Sequence, residues 1–181
     1  MRGFSLIETL VAVVILVSAI VGPLTLASRS IRSAVYARDQ VTAGFLAEET
    51  IEYVRMLRDG NKYDDKNWLN GLSDCIGANA CSLDVTQAPR DAVGKCQEKS
   101  GPYGSNCSLL AFNAVRGWYG YAQKGNLTWQ DTRFVREINI QTIPRGNNTN
   151  DSEAKIEVTV RWQTGTLPVR SIVARDYIYD W

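Results

Sequence analysis

The sequence predicts an α+β fold, with one long N-terminal helix packed against a C-terminal antiparallel sheet. Three observations lead there. A 20-residue run without a charge extends from Thr9 through Ser28, an apolar stripe at helical spacing runs from Ala47 to Leu57, and strict alternation runs from Lys155 to Trp162. Periods near 3.6 and of 2 separate helix from strand before any contact is known.

The uncharged run is dominated by Val, Ile, Leu and Ala. As a helix rising ~1.5 Å per residue it covers roughly 30 Å, the thickness of a bilayer's hydrocarbon core. A secretory signal peptide would have a stronger positive n-region and a shorter apolar stretch than Met1–Ser28 offers. A buried core helix is the other alternative, but a small soluble domain seldom wraps a helix that is apolar on every face. The run therefore reads as a membrane span. Arg29, Arg32 and Arg38 behind it against Arg2 in front would place the C-terminus inside by charge alone. The cysteines discussed below place it outside, and a long domain is translocated whatever its flanking charge.

Glu8 stands one turn into this apolar segment, where a carboxylate costs several kcal/mol unless a cation meets it. It lies either at the headgroup level, helped by the positive end of the helix, or against a cation on another chain. Gly3-Phe4-Ser5-Leu6-Ile7-Glu8 followed by an apolar helix resembles the N-terminus of type IV prepilins and type II secretion pseudopilins. The resemblance implies removal of the leader 1–3 by cleavage between Gly3 and Phe4, and N-methylation at Phe4, both by a prepilin peptidase/methyltransferase. It further implies that Glu8 engages the N-terminal amine of a neighbouring subunit on an inner-membrane assembly platform. The leader of three residues is shorter than most in the family. Gly22-Pro23 suits a helix kink, because proline removes one backbone donor, and pilin helices often break near this depth.

No breaker follows between Leu24 and Asp59, so the helix is expected over 4–59, with 4–28 as its membrane or filament-core half. Its full length would be about 80 Å. Ala47, Ile51, Val54 and Leu57 form one stripe, while Glu48, Glu52, Arg55 and Asp59 lie on another face, with Glu52 and Arg55 spaced for an ion pair. Gly60 is the expected C-cap.

The head, 60–181, reads as β-rich. Ile156, Val158, Val160 and Trp162 alternate with Lys155, Glu157, Thr159 and Arg161, and Phe134, Ile138 and Ile140 share a face against Glu137, Asn139 and Gln141. A Gly- and Asn-rich loop, Pro144 to Ser152, joins these two strands. Gln163 to Thr166 turns into a last strand near Val169 to Tyr179, whose poor alternation implies a bulge or an edge. Leu109–Val115 and Gly117–Ala122 add one or two shorter strands.

Four cysteines, Cys75, Cys81, Cys96 and Cys107, lie within the loop region 75–107 and lack Cys-x-x-Cys spacing. That pattern fits two disulfides in an oxidising compartment better than zinc. Of three possible pairings, Cys75–Cys81 with Cys96–Cys107 loses the least loop entropy; unpaired thiols are the alternative.

The chain contains no histidine, which removes His-assisted triads and His-containing zinc sites. With 20 basic and 19 acidic residues the formal charge is +1, so electrostatics gives no reason to invoke nucleic acid. No enzyme activity and no cofactor are expected. Asp59, Asn61, Asp64 and Asp65 could offer oxygens to calcium, yet they lack the EF-hand's central glycine and terminal glutamate, and a solvated loop is the ordinary reading. The loop Asn147 to Glu153 stands the same way. Trp118, Tyr119 and Tyr121 form an aromatic group between glycines, suited to packing or to a ligand patch.

The resemblance then implies a filament subunit, a minor pilin or pseudopilin. It would reside as a single-pass inner-membrane precursor with an extracytoplasmic head, then enter a pilus or pseudopilus, with other pilin-like subunits as partners. A monomeric membrane-tethered binding module or adhesin is the competing reading, and a membrane-anchored hydrolase a third.

Overall fold

The computed structural model describes residues 5–77, 80–89, 91–96, 101–121, 128–144 and 153–180. The chain divides into two compact units, up to Asp39 and from Gln40 onward, and helix α1, Leu6–Tyr63, contributes to both. In the first unit every residue from Ser5 to Ala34 is exposed.

In the second unit the apolar stripe does what its spacing requires. Ala47, Ile51, Val54 and Leu57 are all buried, joined by Ala43 and Leu46, and they share one core with Ile138, Ile140, Ile156, Val158, Val160, Trp162 and Ile178. At about 2 kcal/mol per buried aliphatic side chain, this burial fixes the second half of α1 far more firmly than helix propensity could. Glu52 and Arg55 form the expected ion pair off this stripe.

The helix does not stop at Gly60. It continues to Tyr63 and closes in a Schellman motif: the Lys66 N–H donates to the Asn61 carbonyl (2.9 Å) and the Asp65 N–H to the Lys62 carbonyl (3.2 Å). Asp65, with φ of 52°, takes the left-handed position that glycine usually fills. Aspartate tolerates that region better than most residues, so the glycine was the wrong marker.

Among the described residues seven strands form one antiparallel sheet: β1 (Cys81–Leu83), β2 (Val93–Lys95), β3 (Leu109–Asn113), β4 (Trp118–Gly120), β5 (Trp129–Ile143), β6 (Glu153–Trp162) and β7 (Arg170–Tyr179). One edge of β5 pairs with β6 without a slip from Phe134↔Trp162 to Ile143↔Glu153. Its other edge is shared, β3 covering the N-terminal part (Asn113↔Trp129) and β1 the middle (Cys81↔Ile138). Outside these lie β2 on β1, β4 on β3 and β7 on β6.

β6 alternates buried and half-buried along its whole length. β7 is an edge strand in unbroken register, so it has the edge position and no bulge. Its alternation is real but hidden in the sequence, because Val173, Tyr177 and Tyr179 face outward while Asp176 turns inward to Arg55, 2.8 Å away. The cysteine region is more than loop. Cys75, Cys81 and Leu83 are fully buried in the core, and β1 and β2 are strands too short for alternation to reveal. The expected loop before β6 lies, over 145–152, outside the described residues.

Candidate functional site

Glu8 sits in the first turn of α1, its N–H donating to the Ser5 carbonyl at 3.0 Å. No described residue forms an ion pair with its carboxylate. Around and beyond it the helix surface is apolar and open, with Leu6 81 % and Ile7 70 % exposed. The hydroxyls in this stretch are turned back on their own helix. Thr9 donates to the Leu6 carbonyl, Ser18 to Val14, Thr25 to Gly22 and Ser28 to Leu24, at 2.7–3.0 Å. A hydroxyl satisfied this way needs no water, which is what a low-dielectric surrounding demands. The same stretch is long and apolar enough to cross a membrane. Gly22 and Pro23 lie inside α1, which is not interrupted there. Gly3 and Phe4, the expected cleavage and methylation positions, lie outside the described residues.

The second unit is fastened by a residue that sequence reasoning missed. Arg136 projects from β5 on the same face as Phe134, Ile138 and Ile140, and is fully buried. Its guanidinium donates to the Leu83 carbonyl (2.6 Å), the Leu46 carbonyl (3.3 Å) and the Glu49 carboxylate (2.9 Å). It therefore ties β1, β5 and α1 at one point, leaving its Nε without a partner. The available signal was an arginine in phase with three apolar neighbours two and four residues away. Beside it the Tyr121 hydroxyl is also buried, and burial raises its pKa above the usual tyrosine value, while the Arg136 charge opposes that rise. Burial raises the Tyr53 hydroxyl too, with the Asp84 carboxylate adding to the effect.

On the outer face Glu137 accepts from Ser105 Oγ, from the Asn106 N–H (3.2 Å) and from Arg161. This carboxylate holds the second cysteine loop against the sheet. Cys75 is bonded to Cys81 and Cys96 to Cys107, the nearest-neighbour pairing.

The calcium candidates do not converge. Because α1 runs through Gly60, Asp59 and Asn61 are helix residues. Asp59 pairs with Arg58 and Asp64 with Lys66, while the Asn61 amide donates to the Trp68 and Asn70 carbonyls. Among the described residues no three His, Cys, Asp or Glu side chains group as a metal site would require. Residues 147–152 of the other acidic loop lie outside the description.

The aromatic group divides. Tyr119 packs edge-on to Phe134 and against Phe112, whereas Trp118 is 47 % exposed with the Arg116 guanidinium 5.2 Å from its ring centre.

No family model, curated protein or solved structure matches this chain. The reading of function therefore rests on the chemistry of the sites. From Thr9 to Ser28 the first unit offers an apolar helical surface whose four hydroxyls are all satisfied, with one carboxylate, Glu8, just before it. Such an arrangement partitions into a hydrocarbon layer or against other apolar helices, and it can hold one cation at Glu8.

Proposed function

We propose that the chain is a structural subunit of a type IV pilus-like filament, a minor pilin or pseudopilin, and not an enzyme. In this reading it is inserted in the inner membrane as a single-pass prepilin with its head outside the cytoplasm. A prepilin peptidase then cleaves after Gly3 and the new Phe4 amine is methylated. The subunit next passes through an assembly platform into a pilus or pseudopilus, its helix moving from lipid into a core of other pilin-like subunits.

One observation carries the reading: the lone Glu8 carboxylate, unpaired within the described chain, at the head of an uncharged and wholly exposed helical run directly behind the Gly3-Phe4 motif. In hydrocarbon that charge costs a few kcal/mol. A neighbour's N-terminal amine cancels it, so assembly and neutralisation become one event. The two disulfides suit an oxidising space outside the cytoplasm.

The test has two parts. Mass spectrometry of the mature chain should find methylated Phe4 at its start. Glu8→Ala and Glu8→Val should leave membrane insertion intact while sharply reducing incorporation into filaments. An intact Met1 in the native cell, or normal incorporation of both variants, refutes the reading and leaves a membrane-tethered binding module in its place.

A further inference from the structure

We propose that the cleft between β4 and the start of β5 binds an acidic carbohydrate. The cleft encloses about 450 Å³ and is lined chiefly by Thr86, Gln87, Asn113, Arg116, Trp118 and Trp129. That size falls within the range of small-molecule sites, roughly 300–1,000 Å³.

Its lining separates into groups that build the wall and groups left to meet a ligand. Asn113 Oδ1 accepts the N–H groups of Val115 and Arg116, both at 3.1 Å, and Thr86 Oγ1 donates to Asp84 at 2.7 Å. The Trp129 ring lies over Gly120, where an added Cβ would stand 3.1 Å from its edge. The Asn113 and Thr86 side chains are therefore committed, and one edge of the Trp129 ring is fixed against the wall. By contrast, the Gln87 side-chain amide, the Trp118 and Trp129 ring N–H groups and the Arg116 guanidinium make no hydrogen bond or ion pair with any described residue.

The free groups define the ligand. A pyranose has a face of C–H groups that packs on an indole, and a rim of hydroxyls that an amide and indole N–H groups can bond. Among the described residues Arg116 is the only charged one in the lining. Held over Trp118, it presents the planar donor fork that matches a carboxylate. A nucleic-acid strand also stacks on tryptophan, but needs a row of cations to follow its phosphates, and the described residues of the lining supply one. Among the described residues no carboxylate lines the cleft, so they offer a ligand binding groups and no acid–base pair of the kind glycoside hydrolysis uses. The inference does not depend on whether the N-terminal helix enters a filament.

The full chain in a non-glycosidic detergent would be titrated with sialyllactose, a glucuronic-acid-terminated disaccharide, lactose and a ten-residue oligothymidylate. Tryptophan fluorescence and saturation-transfer NMR would report binding. At least one acidic sugar should bind about tenfold or more tighter than lactose, as expected for one charge-assisted contact. Arg116→Ala should erase that preference while keeping the unfolding midpoint, and Trp118→Ala should weaken every sugar. Failure of both acidic sugars to bind, equal binding of lactose, tighter binding of the oligothymidylate, or an unchanged preference in Arg116→Ala overturns the proposal.

Discussion

Glu49 and Arg136 allow a test in which exposure and energetic importance point in opposite directions. The Glu49 side chain is 42 % exposed and that of Arg136 is 0 % exposed. Counting buried surface alone, removing Arg136 should hurt more. The electrostatics argues the reverse. If Glu49 becomes Ala, a guanidinium stays sealed in the core with only the Leu46 and Leu83 carbonyls to hold it. Breaking a buried pair so that a charge is stranded costs about 3–5 kcal/mol, and the two remaining acceptors put this case near ~3 kcal/mol. If Arg136 becomes Met, the stem stays packed, Glu49 simply hydrates, the Leu46 carbonyl keeps the Thr50 hydroxyl at 2.8 Å, and the Leu83 carbonyl is the one neutral group that loses the arginine's donor. That loss should be about 1 kcal/mol, because removing the charge also removes its desolvation cost. The double variant should then resemble Arg136→Met within about 0.5 kcal/mol, which makes the coupling between the sites visible. Urea unfolding of the full chain in detergent, followed by near-ultraviolet circular dichroism, reads these differences; thermally, ~3 kcal/mol corresponds to roughly 10 °C. A Glu49→Ala cost below that of Arg136→Met would refute the reasoning.

Other expectations follow from the same packing. Cys96→Ser with Cys107→Ser opens a sequence separation of 11 and should cost about 3 kcal/mol, read as a lower denaturation midpoint. Cys75→Ser with Cys81→Ser opens a shorter loop, of separation 6, yet should cost at least as much, because both cysteines are fully buried in the core. Gly120→Ala puts a Cβ 2.7 Å from Asp84 Oδ1 and 3.1 Å from the Trp129 ring, so a loss of about 1–3 kcal/mol is expected in the same assay. Tyr53 and Tyr121 hold their protons more tightly folded than unfolded, so the folded state binds more protons once the unfolded tyrosines ionise. Their contribution is complete below the ordinary tyrosine pKa of 10.0 and fades as pH rises through the raised folded values. Unfolding midpoints measured upward from pH 9 should fall, and less steeply in Tyr121→Phe.

What was legible in the sequence was whatever repeats. The uncharged run to Ser28, the stripe Ala47 to Leu57 and the alternation of β6 each average many residues, so a single exception cannot hide them. The α+β layout follows from those three patterns, and the cysteine spacing with loop entropy is enough to anticipate the pairing. Glu8 was visible for the opposite reason, as one charge in a stretch that otherwise has none. Tertiary structure decided the features that depend on a single neighbour. Asp65 rather than Gly60 ends the helix because of two backbone bonds at its C-terminus. β1 and β2 are three residues each, too short to show a period, and exist because β5 offers β1 an edge and β1 in turn offers one to β2. Arg136 reads as an ordinary surface arginine until Leu46, Glu49 and Leu83, brought from distant stretches of chain, supply the acceptors that let a charge be buried. Periodicity is a property of a segment and is written along it; a partner across the fold is chosen only when the chain closes.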